Sequence, residues 1–149
     1  MNNNLVTDSS IAKEKKDNPI RNVSIIALRD KDDNILLVRT KRLPNYWQPI
    51  GGGIEKGESP IETAVRELYD ETKLLFNKDN FIKILEVPYD LGEGTIYCFD
   101  TNKIISNDIL DIDMNQIEEY KWYTLKEAKQ LPMFPATSSF ISTLIDKDC

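Results

Sequence analysis

Glu67, Asp70 and Glu71 stand at i, i+3 and i+4, the spacing that gathers side chains along one edge of an α-helix. At about 100° per residue, Asp70 falls roughly 60° to one side of Glu67 and Glu71 roughly 40° to the other. Ile61, Val65, Leu68 and Thr72 centre roughly 130° away, the stripe expected to face a core. Like charges so close repel on an isolated helix, so stability alone would favour Lys among them. Two readings stand. One is a solvated acidic face; the other is a set of hard oxygen donors of the kind Mg²⁺ or Mn²⁺ takes beside a concave surface. The preceding segment bears on the choice. Gly51-Gly52-Gly53 and then Gly57-Glu58 lead into the helix. Backbone without side chains can approach a ligand closely, and its N–H groups, with a helix dipole behind them, favour phosphate or carboxylate. Glycines alone are more often turn chemistry.

The elements that must position these residues follow from local signals. Ser59 can cap a helix, Pro60 suits its first position, and Glu62 completes a capping box, which predicts a helix from Ser59 to about Lys73. Val23–Leu28 and Ile35–Val38 are strand-like apolar runs, and the polar cluster 29–34 between them predicts a hairpin. Further strands are expected at Phe81–Tyr89, Thr95–Asp100 and Ile117–Tyr123, with Leu91-Gly92-Glu93-Gly94 as a turn and a loop over about 101–116. Thr124 and Glu127 repeat the capping box for a second helix to about Gln130, and Ala136–Ile145 reads as a third. Asp30-x-Asp32-x-Asn34 and Asp111-x-Asp113-x-Asn115 superficially resemble calcium loops, but neither has the required Gly and Glu, so both read as solvated loops. Residues 1–19 form a polar lead-in, with a short strand expected around Leu5 and Val6, and one domain runs from 20 to 149. Strands mixed with helices, out of strict alternation, predict an α+β fold with a mixed sheet.

Composition bounds the chemistry. The chain has 149 residues, 19 Lys+Arg, 25 Asp+Glu and no His, for a net charge of −6. Without His there is no Ser-His-Asp or Cys-His nucleophilic site and no His-ligated metal. Cys98 and Cys149 form no CxxC pair, and Cys98 reads as a free buried thiol. No apolar run reaches the length of a membrane span and no hydrophobic signal core opens the chain, so a cytoplasmic protein without a membrane partner is expected. The acidic balance argues against duplex nucleic acid as a partner. A small polyanion stays open, because cations can stand between acidic protein and acidic ligand.

Residues 52–74 resemble the Nudix box, G-x5-E-x7-R-E-U-x-E-E-x-G-U with U aliphatic. Gly52 is its first glycine and Glu58 its first acid. Arg66-Glu67-Leu68 follows seven residues later, then Asp70-Glu71 and Leu74. Trp47-Gln48-Pro49 resembles the usual approach to the glycines, and Glu119-Tyr120-Lys121-Trp122 the family's late strand, so the similarity extends over about 20–146. Asp70 stands where the pattern has Glu, which keeps the charge on a shorter arm. Lys73 stands where it has a helix-ending Gly.

The resemblance implies a Nudix fold, with a mixed sheet sandwiched between helices, and hydrolysis of a nucleoside diphosphate linked to another moiety. Glu67, Asp70 and Glu71 would hold Mg²⁺ or Mn²⁺, with a backbone carbonyl of Gly51 or Gly52 as a further ligand. Arg66 and Glu58 would brace loop against helix. Water would attack phosphorus, with Glu71 the favoured base and Glu118, Glu119 and Glu93 as alternatives, since the position expected from the late strand falls near Gln116. Substrate contacts are expected from Gly52, Gly53, Lys41, Arg39 and Arg42, with Trp47 or Tyr46 stacking on a base, although an aromatic there also suits a core. Nucleoside triphosphates are the first substrate class implied. ADP-ribose or a nucleotide sugar is the alternative, as is a catalytically weak domain that senses a nucleotide. Dimers are common in the family, which makes a homodimer an assembly to test.

Overall fold

The computed structural model describes residues 20–106 and 110–147; the lead-in over 1–19, with Leu5 and Val6, and Cys149 lie outside them. Strands β1 (Val23–Ala27), β2 (Ile35–Thr40), β3 (Gln48–Gly53), β4 (Phe81–Pro88), β5 (Thr95–Thr101) and β6 (Ile117–Tyr123) form one sheet in the order β4-β5-β1-β3-β2-β6. Helices α1 (Pro60–Thr72), α2 (Leu125–Ala128) and α3 (Pro135–Lys147) complete the set. β1 and β5 run parallel and the other neighbours antiparallel, so the sheet is mixed and the fold α+β.

Every residue of β1 and the first four of β2 are buried, as strands covered on both faces must be. On one face Ile26, Leu28, Leu36, Val38 and Ile50 pack with Ala64 and Leu68 of α1. On the other, Val23, Ile25, Ala27, Ile35 and Leu37 pack with Phe140, Ile141 and Leu144 of α3. Each large side chain so buried contributes about 1.5–3 kcal/mol. Cys98 is wholly buried and free.

The expected β1–β2 hairpin exists only at its turn. Arg29 bridges Ile35 and Leu36 N–H donates to Leu28 O at 3.0 Å, but beyond that β3 inserts between the two strands. β3 changes partner along its length. Gln48 and Pro49 lie against β2, whereas Ile50–Gly53 lie against β1. Past Pro49 the glycine half of β3 therefore leaves β2, and a cleft opens between the two halves of the sheet.

The α1 boundaries follow the sequence signals. Ser59 accepts from Glu62 N–H and the Glu62 side chain returns to Ser59 N–H, the reciprocal box. Lys73 ends the helix in the left-handed region at φ 64, with its N–H on Tyr69 O at 2.8 Å. A lysine thus adopts the backbone that a glycine would take there without strain. Asp111 and Asp113 N–H donate to Thr72 O and Glu71 O, satisfying carbonyls left open at the helix end.

Candidate active site

α1 lies close over β3 because both contact surfaces are small. Thr63 and Ala64 are buried beside Leu68 and Thr72, while Ile61 and Val65 are only half-buried. The buried face is therefore rotated toward the acidic edge relative to the stripe of large apolar residues. That rotation carries Glu67 and Glu71 inward. A Cβ on Gly52 would stand 2.5 Å from both Cδ and Oε1 of Glu67, so the missing side chain is the space the carboxylate occupies. Gly51 N–H donates to Glu71 Oε2 at 3.2 Å. A Cβ on Gly51 would lie 2.2 Å from Ser24 O, so β1 itself demands glycine at that position.

Arg66 ties loop to helix. Its Nε donates to Glu58 Oε2 at 2.7 Å and its Nη2 to Glu58 Oε1 at 2.9 Å, a two-pronged pairing, while Nη2 also reaches Gly53 O at 3.1 Å. Nη1 donates to Glu67 Oε1 at 2.8 Å, which fixes that carboxylate. The guanidinium hydrogen bonds hold the Glu58 carboxyl down at about 2, with Glu55 N–H and Thr63 Oγ1 adding to them. Glu71 is driven the other way. Burial, then the Glu67 charge and hydrogen bond, push its carboxyl up to about 9, Asp113 adding and Gly51 N–H opposing.

These groups border a cavity of about 510 Å³ in the cleft. Gly51, Gly52, Gly53, Glu67, Glu71, Lys41 and Arg42 line it, as do Gln48 and Gln116. Gln48 Nε2 is buried with no hydrogen-bond partner among the described residues, a donor for an incoming oxygen. Trp47 and Arg39 are elsewhere. Trp47 is 8% exposed, edge-on to Tyr123 at 5.2 Å within the core, and the Arg39 guanidinium covers its ring while bonding Glu119 and Pro44 O. Tyr46 packs on Phe134. Glu118, Glu119 and Glu93 are exposed and do not line the cavity; of the candidate bases, Glu71 does.

Arg21 and Asp90, which no motif singles out, also line the cavity, as does Asn115 of the loop read above as solvated. Arg21 reaches over the glycines, its Nε 3.0 Å from where a Gly53 Cβ would be. The residue lies just before β1, and its place in the site depends on the antiparallel pairing of Val23 with Gly53.

Among the described residues no three acidic or Cys side chains are gathered as a metal site. The Asp70 side chain is 56% exposed and lies 3.6 Å from Arg66 Nη1. Glu67 and Glu71 nevertheless fit a divalent cation. They are two hard oxygen donors side by side, where burial and then mutual repulsion hold a proton that a cation would replace.

A family model, "NUDIX domain", matches residues 18–144. Dihydroneopterin triphosphate diphosphatase of Haemophilus influenzae is 30% identical over 86 residues, 57% of this chain and 45% of that protein. A human diphosphoinositol polyphosphate phosphohydrolase is 28% identical over 100 residues, 66% of this chain and 54% of that one. The chain thus spans about half the length of these two curated relatives. The crystal structure of a MutT protein from Methanosarcina mazei Go1 superposes with a TM-score of 0.69 at 18% identity, covering 87% of this chain and 96% of that one. With the capped acidic helix laid over its glycine strand, the chain belongs to the NUDIX domain family.

Proposed function

We propose that this chain is a metal-dependent hydrolase that cleaves a diphosphate linkage in a nucleoside diphosphate derivative, with nucleoside triphosphates as substrates and pyrophosphate as product. The observation that carries this is the pairing of Glu67 and Glu71 over Gly51 and Gly52, beside a cavity whose rim holds Arg21, Lys41 and Arg42. The Haemophilus influenzae relative, named for a heterocyclic triphosphate, supports the substrate class.

Glu67, Asp70 and Glu71 are the side chains that would hold Mg²⁺ or Mn²⁺, with a Gly51 or Gly52 carbonyl as a further ligand. When bound, such an ion neutralises charge on diphosphate oxygens and acidifies water. Gly51 N–H holds the Glu71 carboxyl in place, and its ionised form would take the proton of the attacking water. Arg66 and Glu58 keep the glycine loop and Glu67 in register. Lys41, Arg42 and Arg21 meet the phosphates beyond the scissile bond, which is how a chain of net charge −6 takes a polyanion. Asp70 resting beside Arg66 favours a second reading, a domain that binds a nucleotide with little turnover.

The two separate in one assay. The protein is incubated with Mg²⁺ or Mn²⁺ and a panel of nucleoside triphosphates, ADP-ribose and dinucleoside polyphosphates, and nucleotide products, phosphate and pyrophosphate are measured. Pyrophosphate release that disappears in Glu71→Gln is expected; nucleotide binding without turnover overturns the hydrolase reading in favour of the sensor.

A further inference from the structure

The cavity extends beyond the groups that a diphosphate would use. Its floor crosses three strands. Gly51 pairs with Ile25, and Ile25 pairs with Cys98, so two strand spacings, about 10 Å, separate the Gly51 amide from Cys98. Asp90, in the turn after β4, sits over that far side: it lines the cavity, and its charge bears on the Cys98 thiol. Val23, Ile25, Ile96 and Phe134 supply apolar lining to the cavity, with Thr137 beside them. Apolar lining of this kind is a surface on which a ring packs.

Asp90 is poorly supplied with donors for a carboxylate in such a place. Among the described residues both oxygens accept from a single N–H, that of Ala136 in the first turn of α3, at 3.2 and 3.3 Å. A carboxylate offers about four acceptor positions, so most of its capacity is unused. Burial raises the group to about 6, against the pull of that one amide. What would satisfy it is a ligand bringing two parallel N–H donors, the partner that matches the two oxygens of a carboxylate.

We propose that Asp90 is the specificity residue of the cavity and that it reads a 2-amino-4-oxo heterocycle, as in guanine or a pterin, through adjacent ring N–H and amino groups. This rests on the nucleoside triphosphate reading above, and it selects one class of substrate within it. The ring packs on Val23, Ile25, Ile96 and Phe134, its sugar or short polyol spans toward Gly51, and its phosphates lie toward the end of the cavity where Glu67 and Glu71 would hold a cation. Adenine offers no matching pair of donors on the corresponding edge and cannot satisfy the carboxylate.

Steady-state kinetics with GTP and ATP test it. For the intact chain a KM for GTP lower than for ATP by about 30-fold is expected, the range that hydrogen bonds to a buried charge deliver. Asp90→Asn keeps an oxygen for the Ala136 N–H but replaces the second acceptor with a donor. It should raise KM for GTP about 30-fold, leave kcat within about twofold, and leave ATP unaffected. Asp90→Ser, which keeps only a capping hydroxyl, should do the same. Equal KM values for GTP and ATP in the native protein overturn the proposal. So does an equal rise for both in the variants, which would make Asp90 a capping residue of α3 alone. Should no triphosphate be turned over, the hydrolase reading fails separately, and equilibrium binding of GTP and ATP to native protein and Asp90→Asn still decides the role of Asp90.

Discussion

Gly52 and Glu67 occupy one space between them: the volume that a Cβ would fill on the strand holds the carboxylate of the helix. Gly52→Ala should therefore leave the fold standing, because the group displaced is the end of a side chain. It should cut diphosphate hydrolysis by about 100-fold or more, as misplacing a catalytic group by an ångström does. Gly51→Ala meets the Ser24 carbonyl instead and cannot be relieved by a side chain. It should lower the thermal midpoint far more than Gly52→Ala. Melting curves and rates for the two variants check the contrast.

The Glu71 carboxyl, raised to about 9 against an ordinary 4.5, makes the protein without bound cation pH-sensitive. A group raised in the folded state contributes stability that is complete below 4.5 and lost as pH rises through about 9. The midpoint should fall between pH 5 and 9 in a chelator. Glu71→Gln, which cannot ionise, should flatten that slope and melt roughly 3–6 °C above the native protein at pH 9. An unchanged slope in the variant would show that Glu71 does not carry the effect.

Glu58 works in the opposite direction. Held near 2 by Arg66, it adds stability above its ordinary 4.5 that disappears as pH falls through about 2. The melting difference between native protein and Glu58→Gln should be constant from pH 5 to 8 and shrink below pH 4. Arg66→Ala removes hydrogen bonds to Glu58, Glu67 and Gly53 at once and should cost about 2 kcal/mol by chemical denaturation, together with most of the activity.

Lys73 is a site of avoidable strain. Its left-handed backbone at φ 64 costs a non-glycine residue about 1 kcal/mol, partly offset by its exposed contact with the Tyr69 ring. Lys73→Gly should stabilise the protein by about 0.5–1 kcal/mol without altering turnover. A loss of stability would mean that the ring contact outweighs the backbone.

Much of this architecture is readable from local signals. The capping boxes at Ser59 and Thr124, the glycine run and the bounds of Ile117–Tyr123 are decided by residues close in sequence, and the fold keeps them. What local signals miss is set by distant partners. The β1–β2 hairpin fails because both runs are apolar on both faces, so their pattern cannot say that β3 lies between them. The inward turn of Glu71 depends on Thr63 and Ala64, small residues that a stripe of large apolar side chains overlooks. Trp47 suits stacking and packing alike; Tyr123 and the bond from Trp47 N–H to Pro132 O decide for the core. Asp90 sits 46 residues from Ala136, whose N–H binds it, and no motif joins them.

Calorimetric titration of Mn²⁺ into the chelator-treated protein, with and without a non-hydrolysable nucleoside triphosphate, addresses the chemistry at its root. Saturable uptake that tightens with nucleotide and is abolished in the Glu67→Gln, Glu71→Gln double variant is expected. Absence of uptake by the native chain under both conditions would contradict a divalent cation held by these carboxylates.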